Sequence, residues 1–244
     1  MKKKSLAGNT NTGLLKAVAV LFMVMDHCGK LFFPAVPEMR LLGRIAFPLF
    51  AWGIVIGCEY TKDIQKYALR ILLTGIISQP LYILALHHQW NDFSVFVTLL
   101  LGVIAILGIK NGKFGSEIWA PIICLAATAY LKADYGWKGV ALILLLWACR
   151  KSRGALAAVM AAFCLFWGQG TASVSSLFGL RLQAEGVLEP VLNLVLPVLR
   201  IQFFAILALP FMLIESSHSW KTPKWLGYAI YPAHLAVLYL IQIL

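Results

Sequence analysis

The sequence predicts an all-α polytopic bundle of transmembrane helices, and three observations predict it. Of 244 residues, 61% are hydrophobic and 13% are charged, against about 45–50% and about 25% in soluble domains. The apolar residues gather into blocks such as 14–33, 41–58 and 191–214, near the ~20 residues that cross the hydrocarbon core of a bilayer. The basic residues lie between those blocks, where membrane insertion places them, and not on an amphipathic face interleaved with aromatics. The net charge of +11 therefore points to a lipid bilayer as partner and to no nucleic acid. Disorder, a coiled coil and an ordinary cytosolic enzyme are excluded by the same composition.

In chain order the blocks read as nine spans, roughly 14–33, 41–60, 66–86, 93–109, 117–132, 138–150, 154–170, 191–214 and 226–244, forming one domain over 1–244. The first follows Lys2-Lys3-Lys4. It is too long for a leader and ends in Asp-His in place of a small-residue cleavage site, so no cleaved signal peptide is expected. The second opens on Arg40 and Arg44, with Gly43 between them for close backbone approach and Pro48 to break the helix one turn later. The third holds Ser78-Gln79-Pro80, which suggests a kink, with Gln79 lining a polar cavity as one reading. The stretches 117–132 and 138–150 are the shortest, and their length admits a tilted or re-entrant element. The polar stretch 171–190 is expected to be the longest loop, partly helical. The last span carries Tyr231-Pro232-Ala233-His234. Cys28, Cys58, Cys124, Cys149 and Cys164 sit in or beside apolar blocks with no ligand spacing, and read as small core residues.

Charge tests this count. Alternate connections, beginning with the N-terminus, hold fourteen of the 21 Lys and Arg residues; the other connections hold four, and Lys30, Arg44 and Arg200 fall within spans. Positive charge marks the cytoplasm, so the expected topology is N-terminus inside and C-terminus outside.

The informative residues are polar groups where lipid should exclude them. Asp26, His27 and Lys30 lie within five positions near the outer end of the first span, and a mid-bilayer charge costs about 2.5–3.5 kcal/mol on insertion scales. Asp26 and Lys30 stand one helical turn apart and can pair; Asp26 can also orient the His27 ring. Arg44 on the neighbouring helix needs an acid, carbonyls or a substrate anion. Its obvious structural partner is Asp26; its functional reading is an anion or oxyanion site. An interfacial ion pair with a tethered imidazole is the bland alternative for the first cluster, and a hydrogen-bonded structural role is the one for His234. No P-loop, dinucleotide-binding glycine pattern, metal-ligand spacing or nucleophile elbow occurs, and no metal is expected. The chemistry left is acid–base or nucleophilic work by an imidazole.

Asp26-His27, the run Gly43-Arg44-Ile45-Ala46-Phe47-Pro48-Leu49-Phe50, Asp134-Tyr135-Gly136 with Gly139, and Tyr231-Pro232-Ala233-His234 also resemble, in order and spacing, the TraX family. The resemblance implies a multi-pass protein of the bacterial inner membrane that acetylates the N-terminus of conjugative pilin. It also implies kinship with the broader membrane acyltransferases, the acyltransferase-3 and heparan acetyltransferase proteins. By that likeness acetyl-CoA is the donor, and the acceptor is an amine or hydroxyl of a pilin, a surface glycan or a small molecule. His27 is then the catalytic base or acetyl carrier, with Asp26 beside it. Arg44, Tyr135, His234 and Gln79 are the substrate or oxyanion candidates. His27 lies about 20 Å from the cytoplasmic end of its helix, so the donor's pantetheine arm must thread between helices. Arg150, Lys151 and Arg153, with Arg44, are the candidate holders of the donor. A proton-coupled transporter using Asp26, His27 and Arg44 as a relay is the first rival, and a scaffold with polar inter-helix contacts is the second.

Overall fold

The computed structural model describes residues 6–174, 176–178, 180–181, 189–191, 198–214 and 223–244. Apart from one antiparallel pair of two-residue strands, Ser176–Leu177 and Leu180–Arg181, the described elements are helices: α1 (Thr12–Leu31), α2 (Pro37–Gly43), α3 (Ala46–Tyr60), α4 (Ile64–Leu86), α5 (Val95–Asn111), α6 (Ser116–Tyr130), α7 (Gly136–Cys149) and α8 (Arg153–Gly168). A 3-10 segment, Ile201–Ala208, then runs into the short helix Leu209–Leu213, and the C-terminal helix covers Lys224–Ile243. Three stretches are long and apolar enough to cross a membrane: Pro37–Tyr60, Ile64–Leu86 and Trp225–Ile243. Val95–Asn111, Gly136–Cys149, Arg153–Gly168 and Ile201–Leu213 are shorter apolar helices. The chain is a membrane protein on this evidence.

Local sequence sets the helix ends. Asn11, Asp63 and Ser152 cap α1, α4 and α8 by accepting from Leu14, Lys66 and Ala155 backbone N–H groups, each cap stabilising its helix by about 1 kcal/mol. The break expected at Pro48 lies earlier, at Arg44-Ile45, and Pro48 falls in the first turn of α3. A first-turn proline removes an N–H that has no intrahelical partner anyway, so it starts this helix where an interior proline would interrupt one. The stretches 117–132 and 138–150 form complete antiparallel helices, α6 and α7, and no re-entrant turn. The polar stretch 171–190 holds the small hairpin and is helical at its end, over 189–191, while 175, 179 and 182–188 lie outside the described residues. Arg200 stands at the start of the 3-10 segment, donating to the Thr171 carbonyl at 2.8 Å; the preceding part of the span expected at 191–214, over 192–197, lies outside the described residues.

Contacts sort the helix ends into two groups. At one end Ala7 N donates to Arg150 O, Arg153 Nη2 to Leu213 O, and Lys110 Nζ to Cys58 O. At the other, Lys30 Nζ donates to Leu86 O, Asp134 N to Phe93 O, and Gln242 Nε2 to Ala85 O. Successive helices therefore alternate in direction, while α1 and the C-terminal helix run parallel. α3 is central, with 72% of its stretch buried against 17% for the C-terminal helix. Trp52, Phe47 and Leu49 of α3 pack on Ile106, Leu142, Ile143 and Leu146 in the core. The C-terminal helix, peripheral as it is, delivers its one histidine to α1.

Candidate functional site

His27 lies in the fifth turn of α1 and His234 midway along the C-terminal helix. Their rings stack at 5.1 Å between centroids with an interplanar angle of 15°. His27 Nδ1 is 2.9 Å from His234 Nε2. His234 Nδ1 is 3.2 Å from the Ile230 carbonyl oxygen, one turn back on its own helix. A carbonyl only accepts, so His234 Nδ1 carries a proton. In the neutral ring, His234 Nε2 is then the acceptor, and His27 Nδ1 must donate to it. The chain of bonds leaves the lone pair on His27 Nε2, which has no hydrogen-bond partner among the described residues. An imidazole held this way can accept a proton or attack a carbonyl carbon. Tyr231 meets His234 edge-on at 5.0 Å and Phe96 at 4.8 Å, which fixes the ring from below.

Asp26 does not orient His27. It points toward α2, where it pairs with Arg40 Nη1 at 3.0 Å and with Arg44 Nη2. Arg44 Nε also donates to the Arg40 carbonyl. Gly43 makes this approach possible, since a Cβ there would collide with the Asp26 side chain. Lys30 pairs elsewhere too: it donates to Leu86 O at 3.2 Å and stands 3.2 Å from His88 Nε2. His88 in turn lies 3.4 Å from Asp92 and stacks on Tyr82. Burial, and then the Lys30 ammonium, hold the His88 imidazole below its usual range. No motif in the sequence marks His88.

Tyr135 is a non-glycine residue at φ 65°, a conformation that costs on the order of 1–3 kcal/mol. Its ring is stacked on Phe47 at 3.9 Å and edge-on to Trp167, which holds it there. Burial pushes the neighbouring Asp134 carboxyl up to about 6, against the pull of the Arg44 guanidinium. Gln79 is tied down at both ends of its amide. Its Nε2 donates to Asp92 O at 2.7 Å and its Oε1 accepts from Ser94 N at 3.0 Å, so both ends of the amide hold the α4–α5 turn. Arg150 pairs with Glu59 and stacks over Trp147 at 3.7 Å. Arg153 donates to the Ala7 and Leu213 carbonyls, and Lys151 is exposed. The structure thus brings together His27 with His234, and Asp26 with Arg44. It sets Arg150, Lys151 and Arg153 at the far end of the bundle.

An apolar groove of about 190 Å³ lies among α1, α3, α4, α5 and the C-terminal helix. It starts at Thr12 and Lys16 and ends at Met23 and Tyr231, one helical turn before His27 and His234.

The family described as TraX protein matches residues 11–242. Among curated relatives, a protein named as probable fimbrial assembly protein FimC, serogroup H1, of Dichelobacter nodosus is 26% identical over 243 residues, covering 92% of each chain. An uncharacterized protein of Rickettsia prowazekii is 31% identical over 137 residues, 54% of this chain and 53% of its own length. The protein TraX of Escherichia coli is 28% identical over 160 residues, 59% of this chain and 55% of that one. No solved structure matches.

Proposed function

The chain belongs to the TraX family, and from that premise we propose that it is a multi-pass acetyltransferase of the bacterial inner membrane, working through His27. The observation that carries this reading is the 2.9 Å contact of His27 Nδ1 with His234 Nε2, which, with His234 Nδ1 on the Ile230 carbonyl, leaves the His27 Nε2 lone pair without a partner among the described residues. Acetyl-CoA is the donor. An acceptor amine or hydroxyl attacks the thioester carbonyl while Nε2 takes its proton. The C–S bond breaks, and the leaving thiolate recovers that proton from Nε2. In the two-step form Nε2 itself attacks, the C–S bond breaks and CoA leaves as its thiolate, and the acetyl group rests on the ring as an acetylimidazolium; the acceptor then attacks that carbonyl, the bond from Nε2 to the acetyl carbon breaks, and the acceptor's proton passes by way of the freed Nε2 to the thiolate. In both forms positive charge grows on His27 while its Nδ1–H stays donated to the His234 lone pair, which stabilises it. Arg44 uses two of its N–H donors on Asp26 and the Arg40 carbonyl, and the rest are available to an oxyanion. Tyr135 is the second candidate for that role.

The fold is taken as nine crossings of one domain, N-terminus inside and C-terminus outside. Alternating helix directions, and α1 running parallel to the C-terminal helix, support an odd count. Lys62, Lys66, Lys110, Lys113, Arg150, Lys151 and Arg153 then face the cytoplasm. His27 sits toward the outer side, so the acceptor arrives from there or laterally through the bilayer. The fimbrial name of the Dichelobacter relative supports a pilin-type acceptor; a surface glycan or small molecule is the other class.

Purified protein incubated with radiolabelled acetyl-CoA tests the reading. His27→Ala should abolish transfer to a co-purified acceptor while insertion and expression persist, and label retained on the wild-type protein supports the two-step form. A fully active His27→Ala protein ends the assignment. Substrate flux in proteoliposomes without acetyl transfer would give the site to a transporter.

A further inference from the structure

We propose that Asp134 receives the acceptor: its carboxylate binds an amine as the ammonium ion, among Tyr82, Tyr135 and Tyr231, and takes the first of the two protons that amide formation must remove. The inference rests on the acetyltransferase reading and adds to it a residue for the acceptor.

Asp134 stands in the connection between α6 and α7, at the end of the bundle where Lys30 meets the Leu86 carbonyl. Its main chain is held on both sides. The N–H donates to Phe93 O at 2.8 Å, and the carbonyl accepts from the buried Thr98 hydroxyl. The side chain is half-buried and accepts from the Tyr135 backbone N–H. It forms no ion pair among the described residues. The neighbouring cations are engaged with other groups: Arg44 with Asp26 and the Arg40 carbonyl, Lys30 with the Leu86 carbonyl and His88. A carboxylate drawn away from water is costly unless a cation pairs with it, and an arriving ammonium is such a cation.

Three tyrosines complete the site. Tyr82 of α4, Tyr135, and Tyr231 of the C-terminal helix lie within electrostatic reach of Asp134 and of one another. Aromatic faces and phenol oxygens beside a carboxylate suit an ammonium. Tyr231 also meets His234 edge-on at 5.0 Å, and Lys30 and Arg44 act on both Asp134 and His27. An amine held on Asp134 therefore shares its surroundings with the histidine pair.

The protons balance on this assignment. The first passes from the ammonium to the Asp134 carboxylate, leaving a neutral amine with a lone pair and a neutral carboxylic acid. The amine attacks the acetyl carbon, and its second proton goes by way of His27 Nε2 to the CoA thiolate. Asp134 then returns its proton to the outer water. An α-ammonium titrates at about 8 and an ordinary aspartate at about 4. With its carboxyl pushed up to about 6 by burial, Asp134 takes the proton about a hundredfold more readily than an ordinary aspartate does. A hydroxyl acceptor brings one proton and needs no such group.

The test reads binding separately from transfer. Full-length protein in phosphatidylcholine nanodiscs is followed by infrared difference spectroscopy at about pH 6, where Asp134 is partly protonated. Glycinamide, cationic at that pH, should remove a carboxylic-acid band that Asp134→Asn lacks, and glycolamide, its neutral hydroxyl counterpart, should leave the band in place. In transfer from acetyl-CoA, Asp134→Asn should raise KM for glycinamide about tenfold near neutral pH, with KM for acetyl-CoA unchanged, and Asp134→Glu should recover part of the loss. The deficit should shrink as pH rises past about 8, where the amine arrives already neutral. Asp26, Lys30, Arg44, Tyr82, Tyr135 and Tyr231 face Asp134, with Asp92 and His88 behind Tyr82. All of them remain in Asp134→Asn, so a rescue at high pH belongs to the acceptor's own proton. A band indifferent to glycinamide, or a deficit that is the same at every pH and tracks lost stability, overturns the inference and leaves the acetyltransferase reading intact. Absence of transfer by the wild-type protein, to glycinamide and to a co-purified acceptor alike, removes that reading and the role of Asp134 with it.

Discussion

His234 is worth more to His27 than Asp26 is, although Asp26 is its neighbour in sequence. Successive residues on a helix point about 100° apart, so Asp26 faces α2 while His27 faces the C-terminal helix. If His234 holds the proton on His27 Nδ1, removing it frees the ring to take the other tautomer and place the proton on the working nitrogen. His234→Ala should then lower kcat by about a hundredfold, within the usual range for acid–base groups, with KM for acetyl-CoA unchanged. His234→Gln, whose side-chain oxygen reaches the position of Nε2, should recover most of the rate. A merely structural His234 would instead give equal losses for both variants, tracking stability. His27 was legible in the sequence because an imidazole beside a carboxylate in an apolar run is costly and needs a reason. Its partner was not, because 207 residues separate the two, and a lone histidine in a bundle carries no signal of what it meets.

The junction of α1 with α2 and α3 is where local sequence spoke most clearly. Gly43 announced a close approach, and the approach is that of Asp26. Arg44 announced an acidic partner and found it. The helix break was displaced from Pro48 because a proline in a first turn does no damage, and hydropathy alone does not place a helix start. The Asp26 side chain is 13% exposed and that of Arg44 14%, so the Arg44 guanidinium depends on that carboxylate. Asp26→Asn should therefore cost on the order of 3 kcal/mol, read as a lower unfolding midpoint in detergent. Adding Arg44→Met, which removes the charge left unpaired, should restore part of that loss, while Arg40 with 34% of its side chain exposed can turn to water. If the single and double variants melt alike, the pair contributes nothing and Arg44 is held by other groups.

At the scale of the whole molecule, eight of the nine expected apolar blocks match helices to within a few residues, since composition sets them, whereas in the block expected at 191–214 the described helical segment begins only at Ile201 and 192–197 lie outside the described residues. Which helices touch was not legible in the sequence, because the order of helices around the bundle depends on side-chain fit across long sequence separations. The alternation of direction and the parallel course of α1 and the C-terminal helix together make a topological prediction. Reporter fusions should show alkaline phosphatase activity at Leu244 and in the connections around residues 88–92 and 131–135. They should show none in the connections at 61–63, 112–115 and 150–152. The consequence reaches the chemistry. If the Leu244 fusion is silent, α1 and the C-terminal helix, which are parallel, both enter from the outside. His27 then lies on the cytoplasmic side, where a donor arm would have no need of a path through the bundle. An active Leu244 fusion instead puts the histidine pair within reach of an acceptor outside. That separation is what a protein must have to carry an acetyl group from a cytoplasmic thioester to an acceptor on the other side of the membrane.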